Sequence, residues 1–335
     1  MPVERTALGP REVRLRVIRS GVCHSDVHLR TGFHDLGGGT RVPLVERGFT
    51  YPLVLGHEVV GVVEEVGAEV AEVTPGDVRL VYPWIGCGTC RRCTAGRDDL
   101  CAAHRALGAV LPGGYAETVV VPEARYLLAV DGIDPAVAAT LACSGLTAFG
   151  AASKVDAAPE APVVVSGAGG VGLALVAILR AFGHRNICAI DHSVHSLRLA
   201  EGMGATSTVL AGDDLADRVR EAVGEPVEAF VDLVNDGTTT RLGFDLLAKG
   251  GLLVAVGLFG GELRLPAVML PLKAVRITGS YVGTLADLHT LVGLARDGGL
   301  PTVPVLPGTL DAAGVSDALD RLAEGGVRGR IVLET

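Results

Sequence analysis

Four closely spaced cysteines have the pattern of a metal site. They follow one another as C-x2-C-x2-C-x7-C and are Cys87, Cys90, Cys93 and Cys101. Cysteines two residues apart can wrap one ion while a fourth returns on a short loop, so the pattern favours zinc held by four thiolates. The polar residues between them cannot build a core, and the metal would supply order that packing does not. Four protein ligands close the coordination shell, which predicts a structural site; an iron–sulfur cluster and free or redox cysteines are the alternatives.

Other metal-competent side chains are spread along the chain. Residues 21–28, GVCHSDVH, hold more such groups than an ordinary turn would. His57 and Glu58 stand at the start of a valine-rich segment, and Cys143 lies in an apolar one. A lone cysteine in an apolar helix is by default a core residue. Spacing alone does not bring Cys23, His57 and Cys143 together, because 34 and 86 residues separate them.

A glycine-rich turn predicts a dinucleotide site. Residues 163–191 read VVVSGAGGVGLALVAILRAFGHRNICAID, in which Gly167, Gly169 and Gly172 form the pattern G-x-G-x-x-G. Gly167 permits a tight turn, Gly169 lets the backbone approach a pyrophosphate, and Gly172 lets helix and strand pack closely. The helix that follows offers free N–H groups to phosphates. An ordinary tight turn is the alternative, which the strand before and the helix after disfavour.

An acidic residue ends the second strand of this unit. Asp191 lies 19 positions after Gly172. A carboxylate there can accept hydrogen bonds from the ribose hydroxyls of an adenosine, whereas it would repel the 2′-phosphate of NADP. The sequence therefore favours NAD.

The elements around these residues are typical of an α/β protein. From Val163 onward strand and helix alternate, which predicts a parallel doubly wound sheet with right-handed crossovers. A loop punctuated by Gly and Pro is expected from residue 31 to about residue 52. The predicted strands are 11–19, 55–67, 78–82, 113–121, 126–130, 163–165, 187–190, 207–210, 227–234, 252–257, 275–279, 302–305 and 330–335, and the predicted helices are 135–151, 173–182, 193–202, 214–223, 239–249, 285–297 and 311–324.

Length and charge exclude several classes of protein. A chain of 335 residues exceeds what one core supports, which predicts two domains. The net charge of -9 without a block of like charges argues against a nucleic-acid partner. Residues 1–17 contain no apolar signal region and no run reaches the ~18–20 residues that span a bilayer, so we expect a cytoplasmic protein without a membrane partner. In that compartment the seven cysteines are expected to be thiols or metal ligands.

Six motifs, in this order, resemble the zinc-dependent medium-chain alcohol dehydrogenases over nearly the whole chain. They are GVCHSDVH (21–28), GHEVVG (56–61), the four-cysteine lobe, ACSGLT (142–147), GAGGVG (167–172) and GRIVLE (329–334). The segments LGHE, CSGLTAF and VGLFG are most similar to the microbial tetrameric, NAD-dependent branch. The resemblance implies a Rossmann cofactor domain, residues 146–285, and a mainly β GroES-like catalytic domain with a zinc lobe, residues 1–145 and 286–335.

The resemblance also implies a catalytic metal. Cys23, His57 and Cys143 would bind a zinc ion with water or substrate in the fourth position, so that each subunit carries two zinc ions. Asp26 would hold His57 by its free N–H. Glu58 would be a partner of that ligand or a transient ligand itself.

The remaining motif residues would serve proton transfer, substrate and cofactor. Ser25 would take the proton of the alcohol and pass it through the nicotinamide ribose to His28, and Trp84 would line the substrate pocket. The cofactor would contact Gly167, Gly169, Gly170, Val171, Gly172 and Asp191 in its own domain, with His24 near the pyrophosphate, Thr147 near the nicotinamide and Arg330 at a phosphate.

The resulting hypothesis is an oxidoreductase that moves a hydride between NAD and a primary or secondary alcohol, or the aldehyde or ketone in reverse. Trp84 and the apolar pair Leu258 and Phe259 favour apolar substrates over those of a polyol, sugar or amino-alcohol dehydrogenase, which is the alternative. A zinc-stabilised NAD-binding scaffold without turnover is a third reading. The resemblance suggests a tetramer or a dimer formed through the cofactor-domain sheets. The short start of the chain and the long loop of residues 31–50 depart from the family.

Overall fold

The computed structural model of the protein describes residues 6–335, in which the strands form two large sheets and one short hairpin. The predicted first domain begins at residue 1, so its first five residues lie outside the described residues. The strands are β1 (Val13–Gly21), β2 (Phe33–Asp35), β3 (Arg41–Pro43), β4 (Glu58–Val66), β5 (Val78–Val81), β6 (Thr118–Val121), β7 (Leu127–Ala129), β8 (Val163–Ser166), β9 (Ile187–Asp191), β10 (Ser207–Leu210), β11 (Val227–Asp232), β12 (Leu247–Ala255), β13 (Arg276–Gly279), β14 (Val305–Thr309) and β15 (Arg330–Glu334).

The helices alternate with strands mainly in the second half of the chain. They are α1 (His24–Thr31), α2 (Arg91–Thr94), α3 (Pro135–Thr140), α4 (Leu146–Ala152), α5 (Gly170–Ala181), α6 (Val194–Met203), α7 (Leu215–Val223), α8 (Thr238–Leu246), α9 (Met269–Lys273), α10 (Leu285–Arg296) and α11 (Ala312–Ala323). A π-helical turn, Leu141–Gly145, joins α3 to α4, and 3-10 turns cover Leu44–Arg47, Asp98–Leu100 and Ala124–Tyr126.

The second large sheet confirms the predicted doubly wound fold. Its order is β10-β9-β8-β11-β12-β13, and every neighbouring pair is parallel. Helices cover both faces, so central strands such as β8 are apolar and wholly buried. The strand order reverses between β8 and β11, which opens a crevice at the carboxyl ends of the strands. The glycine-rich turn lies at that crevice.

The first large sheet joins strands from both halves of the chain. Its order is β14-β15-β1-β4-β5-β7, with β6 also paired to β1. Strand β1 begins and ends two residues later than predicted and buries Val13, Leu15 and Val17 completely, but Arg14 between them is buried as well, so the burial does not alternate strictly. Because β15 and β4 flank β1, Gly21 pairs with Val332 on one side and with Glu58 on the other. Residues from the start and the end of the chain therefore meet at the end of β1.

A long apolar helix lies between the two sheets. Its start is fixed by Asp134, whose side chain accepts the N–H groups of Ala136 and Val137, and by a proline in the first turn. In the described chain, Pro135–Ala152 has the length and composition of a membrane span. The sequence analysis expected no run of that length, and this expectation was wrong. Because 78% of it is buried inside the protein, it packs as a core helix.

Some predicted boundaries were wrong. The strand expected at 302–305 is β14, which begins at Val305, because Pro304 has no N–H to give a ladder. The helix expected at 239–249 ends at Leu246, where Leu247 pairs with β11. Only the end of the strand expected at 113–121 forms, because Gly113 donates its N–H to the carbonyl oxygen of Val54 instead of to a neighbouring strand. The predicted loop 31–52 contains the β2–β3 hairpin, and helix α1 was not predicted.

Candidate metal sites and cofactor cleft

The four lobe cysteines converge on one point. Their sulfur atoms are 3.9 Å apart for Cys87 and Cys93, 3.5 Å for Cys90 and Cys93, and 3.9 Å for Cys90 and Cys101. Ligands at a Zn–S distance of ~2.3 Å and tetrahedral angles lie ~3.8 Å apart. The donor set therefore fits one zinc ion with no position left for substrate.

A buried carboxylate ties this lobe to the first large sheet. Asp98 accepts hydrogen bonds from Tyr126 Oη at 2.8 Å and from Arg125 Nη2 at 2.8 Å. Burial opposes ionisation of Asp98, but these two partners outweigh it and lower the pKa of the carboxyl. Next to it, a Cβ on Gly86 would lie 2.5 Å from the sulfur of Cys93, so glycine allows the lobe to close.

A second cluster brings together residues that are far apart in sequence. The ligand atoms of Cys23, His57, Glu58 and Cys143 lie within 4.8 Å of one another, and all four residues are buried. The two sulfur atoms are 3.9 Å apart. Among residues 6–335, Nε2 of His57 has no hydrogen-bond partner although it is buried. An orphaned buried nitrogen beside two thiols fits three ligands of a metal ion, and the buried Oε2 of Glu58, which also has no hydrogen-bond partner among the described residues, offers a fourth donor.

Two of these ligands lie between elements, and the third lies inside the core helix. Cys23 follows β1 and precedes α1, and His57 precedes β4, which pairs with β1. Cys143 lies in the π-helical turn of the core helix. Such turns insert one residue into a helix and are frequent at functional sites. The register of β1 and β4 and this turn together bring the three ligands to one place.

Asp26 fixes the orientation of the histidine. It is wholly buried, and its Oδ1 lies 3.1 Å from Nδ1 of His57 and 3.1 Å from the amide of Gly56. Its Oδ2 accepts the N–H of Cys23 at 3.0 Å and the hydroxyl of Tyr115 at 3.0 Å. When Nδ1 donates to the carboxylate, the lone pair of His57 is on Nε2, on the side of the sulfur atoms. Burial lowers the pKa of His57, but Asp26 opposes it and the net pKa is raised.

The sequence analysis did not predict Tyr115 as a partner of Asp26 or Arg330 as a partner of Glu58. Tyr115 lies in a predicted strand and nothing marked it. Glu58 forms a buried ion pair with Arg330, 272 positions away. Burial lowers the pKa of Arg330, but Glu58 outweighs it and the guanidinium pKa is raised. Arg330 also packs on the first turn of α5, since a Cβ on Gly170 would lie 2.4 Å from its Cδ. It thus links the metal cluster to the glycine-rich turn.

The glycine-rich turn forms a cradle. Gly167 has φ +97°, and a Cβ on Gly172 would lie 1.9 Å from the carbonyl oxygen of Gly167. A Cβ on Gly169, by contrast, would meet no described atom within 4 Å. Helix α5 begins with Gly170 and Val171, whose N–H groups lie in the first turn and have no acceptor within the helix. The cradle fits a pyrophosphate.

Asp191 lies beside this cradle. Its Oδ2 accepts the N–H of Ala168 at 2.8 Å and its Oδ1 accepts the N–H of Ser193 at 2.8 Å. Each carboxylate oxygen keeps a further lone pair. The carboxylate is thus held at the carboxyl end of β9 with capacity for ribose hydroxyls.

The side chains predicted to transfer a proton, Ser25 and His28, lie in α1, which follows directly after Cys23. Oγ of Ser25 is 3.8 Å from the sulfur of Cys23. His28 is half-buried in α1, and its ring centroid lies 6.1 Å from that of His34. Nδ1 of His34 in turn is 2.6 Å from Nη1 of Arg47. Burial lowers the pKa of His28, so its ring is neutral at neutral pH.

Aromatic rings line the space in front of the cluster. The ring of Trp84 lies 5.6 Å from that of His57 and 5.6 Å from that of Tyr281, which the sequence did not predict. On the cofactor side, the ring of His24 lies 5.5 Å from that of Phe259. Thr147 lies in α4, four residues after Cys143, and is partly exposed.

Comparisons with known proteins give a consistent result. Residues 9–131 match the model of the alcohol dehydrogenase GroES-like domain, and residues 170–297 match that of zinc-binding dehydrogenases. The chain is 36% identical to an NAD-dependent alcohol dehydrogenase of Saccharolobus solfataricus over 97% of its length and 92% of that protein. It is also 31% identical to D-arabinose 1-dehydrogenase (NADP(+)) of the same organism, over 96% of this chain and 90% of that protein. A crystal structure of an alcohol dehydrogenase from Aeropyrum pernix aligns with a TM-score of 0.90 and 33% identity, covering 100% of this chain and 96% of that one.

Proposed function

Since this chain belongs to the zinc-binding medium-chain alcohol dehydrogenase family, we propose that it is an NAD-dependent alcohol dehydrogenase. It transfers a hydride between NAD and a primary or secondary alcohol, or the corresponding aldehyde or ketone in reverse. The observation that carries the proposal is the orphaned Nε2 of His57 beside the sulfur atoms of Cys23 and Cys143, which are 3.9 Å apart.

Two zinc ions per subunit follow from the two donor sets. The structural ion would be held by Cys87, Cys90, Cys93 and Cys101. The catalytic ion would be held by Cys23, His57 and Cys143. A zinc ion in the open site supplies Lewis acidity, which lowers the pKa of a substrate hydroxyl by several units. Asp26 holds the imidazole at Nδ1, so that Nε2 faces the sulfur atoms, and Arg330 holds Glu58 in a buried ion pair.

The chain's own residues remove the proton. Ser25 accepts it at Oγ, next to the ligand Cys23, and gives up its own hydroxyl proton, which His28 accepts and delivers to water at the edge of the cleft. The half-buried, neutral ring of His28 suits this role, because a protonated ring could not accept. His24 and Thr147 lie on the cofactor side of the cleft, where they contact the pyrophosphate and the nicotinamide.

The proposed cofactor is NAD. The pyrophosphate cradle is formed by Gly167, Gly169, Gly170, Val171 and Gly172. Asp191 accepts hydrogen bonds from the ribose hydroxyls. Arg330 has its guanidinium on Glu58, so we propose that only its remaining N–H groups reach a phosphate. A carboxylate repels the 2′-phosphate of NADP. If NADP is used better than NAD in steady-state assays, this role of Asp191 is wrong.

We propose domain boundaries at residues 145/146 and 285/286. The first large sheet then belongs to a catalytic domain, residues 1–145 and 286–335, and the parallel sheet to a cofactor domain, residues 146–285. Substrate enters between them, past Trp84 and Tyr281.

An apolar alcohol is the favoured substrate. Trp84 and Tyr281 form aromatic walls beside His57, while Leu258 and Phe259 lie exposed, at 57% and 55%, near the cofactor side. A polyol or sugar dehydrogenase is the second candidate, which the similarity to a D-arabinose dehydrogenase favours.

One experiment tests the activity and the two candidates together. The protein is assayed with NAD and NADP against a panel of alcohols and polyols, and its metal content is measured. We expect two zinc ions per chain and alcohol-dependent NADH formation, with benzyl alcohol or cyclohexanol better than polyols. Polyol turnover well above that of these alcohols would reverse the ranking. One zinc ion per chain and no turnover would instead favour the hypothesis of a zinc-stabilised NAD-binding scaffold without activity.

We further propose a cytoplasmic homo-oligomer, either a tetramer or a dimer. Strand β13 is an edge strand of the parallel sheet, and exposed apolar residues lie on it and near it: Ile277 at 40%, Leu272 at 62% and Val268 at 63%. An exposed apolar edge favours pairing with a second copy. Light scattering of the wild type and Ile277→Lys measures this, and a monomeric wild type would contradict it.

A further inference from the structure

The tip of the β2–β3 hairpin touches the cofactor domain across the cleft. A Cβ on Gly37 would lie 2.5 Å from the carbonyl carbon of Gly261, and a Cβ on Gly260 would lie 2.7 Å from the carbonyl oxygen of Asp35. Real Cβ atoms essentially never come within 3.0 Å of another atom. The two backbones are therefore in direct contact, and only glycine permits it. We call Gly37, Gly38, Gly260 and Gly261 the glycine clasp.

The clasp joins residues of opposite domains at several points. A Cβ on Gly38 would lie 2.5 Å from Oε1 of Glu262, a third contact between the hairpin and the cofactor domain. Gly37 has φ +83° and is buried although it lies at a hairpin tip. Arg41 pairs with Asp35 across the hairpin, just behind the contact.

The clasp lies at the rim of the cofactor crevice. Residues 256–262 follow the carboxyl end of β12, and ligands of doubly wound sheets bind outside these ends. The same segment carries Phe259, whose ring lies 5.5 Å from that of His24 in α1. Residues 256–262 therefore contact both the hairpin tip and α1 across the cleft.

We propose that the glycine clasp retains the cofactor: it closes over bound NAD(H) and must open for exchange. This rests on the proposed function and extends it to a segment, residues 33–43, that the family motifs do not include. Opening of the cleft at this rim would separate the hairpin tip from residues 260–261 and break the backbone contact. Its free energy is therefore added to the affinity for a cofactor that sits between them, and appears mainly in the release rate.

The alternative is that the contact is passive packing without effect on the cofactor. Two substitutions from opposite sides separate these readings. Gly37→Ala and Gly260→Ala each put a methyl group into the contact. The matched controls are Gly39→Ala and Gly183→Ala, with φ +79° and +96°, where a Cβ would meet no described atom within 4 Å. The controls carry the same backbone strain without the clash.

NADH binding is measured by fluorescence titration and its release by stopped flow, with thermal unfolding as a check of folding. We expect Gly37→Ala and Gly260→Ala to raise the Kd for NADH by about tenfold, equivalent to ~1.4 kcal/mol, with most of the change in the release rate. The two controls stay within about twofold of the wild type. In the double variant Gly37→Ala/Gly260→Ala the effects are not additive, because either methyl group already opens the clasp.

Equal NADH affinity and release in the clasp variants and their controls would overturn the proposal. Additive effects in the double variant would overturn it as well, since they would mean two independent sites of strain. If one single variant does not fold, the other carries the same test from the opposite domain. A wild-type protein that does not bind NADH would instead contradict the proposed function.

Discussion

The two cysteine clusters hold their ligands in opposite ways. The lobe cysteines lie within residues 87–101, and Cys87 and Cys90 are partly exposed among charged residues. Cys23, His57 and Cys143 come from three elements and are all buried. In the lobe, sequence spacing sets the geometry, and a bound metal would supply the order. In the cleft, the fold sets the geometry, and a bound metal would be free to serve chemistry.

This contrast predicts that the two sites fail differently. Loss of the lobe ion should lower stability, and loss of the cleft ion should lower activity. A lobe variant that loses only activity, or a cleft variant that loses only stability, would contradict this contrast.

The largest effect is expected for Cys23→Ala. Without this thiolate the site loses its Lewis acid, and alcohol-dependent NADH formation should fall about 10³-fold or more, equal to ~4 kcal/mol of barrier. The unfolding temperature should change by no more than a few degrees. Cys188→Ala is the control, because Cys188 is a buried cysteine of β9 outside both clusters. Activity of Cys23→Ala within tenfold of the control would contradict the role of this cluster.

Cys93→Ala should act on stability instead. The lobe has little apolar packing of its own, so loss of the ion should lower the free energy of unfolding by about 3 kcal/mol, in the range for loss of a metal. Denaturant titration and limited proteolysis of residues 87–101 measure this, again against Cys188→Ala. An unchanged midpoint together with lost activity would reverse the assignment of the two sites.

Asp26→Asn tests whether the fold orients the cleft ligands. The amide keeps the shape of the carboxylate but weakens its hold on His57 and Cys23, so zinc affinity or activity should fall about 10- to 100-fold. Under mild chelation the variant should lose one zinc ion while the lobe keeps the other. Tyr115→Phe, which removes one of the four hydrogen bonds to Asp26, is the milder control. Loss of both ions at the same chelator concentration would be the contrary result.

His28→Gln should give the smallest effect. Burial lowers the pKa of His28 below its ordinary value, so the ring accepts protons throughout the neutral range and activity falls only as the pH drops through that lowered pKa. The variant should lose roughly tenfold in kcat at neutral pH, less than for a typical general base because water reaches this half-exposed site. The acid limb should then be absent from its pH profile. The exposed His195→Gln is the control, and an identical limb in both variants would exclude His28.

The lobe could be predicted from residues alone, because its ligands lie within one short segment. The parallel sheet could be predicted for a similar reason, since each unit of strand, turn and helix is local. The glycine-rich turn and Asp191 are separated by one helix, and their meeting follows from the fold class. Local periodicity was enough in these regions.

The cleft could not be derived in this way. The approach of Cys23 to His57 depends on the register of β1 against β4, and the approach of Cys143 depends on a π-helical turn. Neither feature leaves a local signal. The Glu58–Arg330 ion pair joins positions 272 residues apart, so no spacing rule finds it. The hairpin at residues 33–43 was expected to be a loop, because its three consecutive glycines mask two strands of three residues each.

The π-helical turn Leu141–Gly145 contains one residue more than a regular helical turn, and the position of the proposed metal ligand Cys143 depends on this inserted residue. Each residue of a regular helix turns the chain by about 100°. Deletion of a single codon there would wind the core helix into an uninterrupted α-helix and rotate its cysteine away from the cleft, while the apolar packing and the cofactor sheet remain. One genetic event would thus turn a dehydrogenase into a nucleotide-binding protein without turnover, and the reverse insertion offers a short evolutionary path from one to the other.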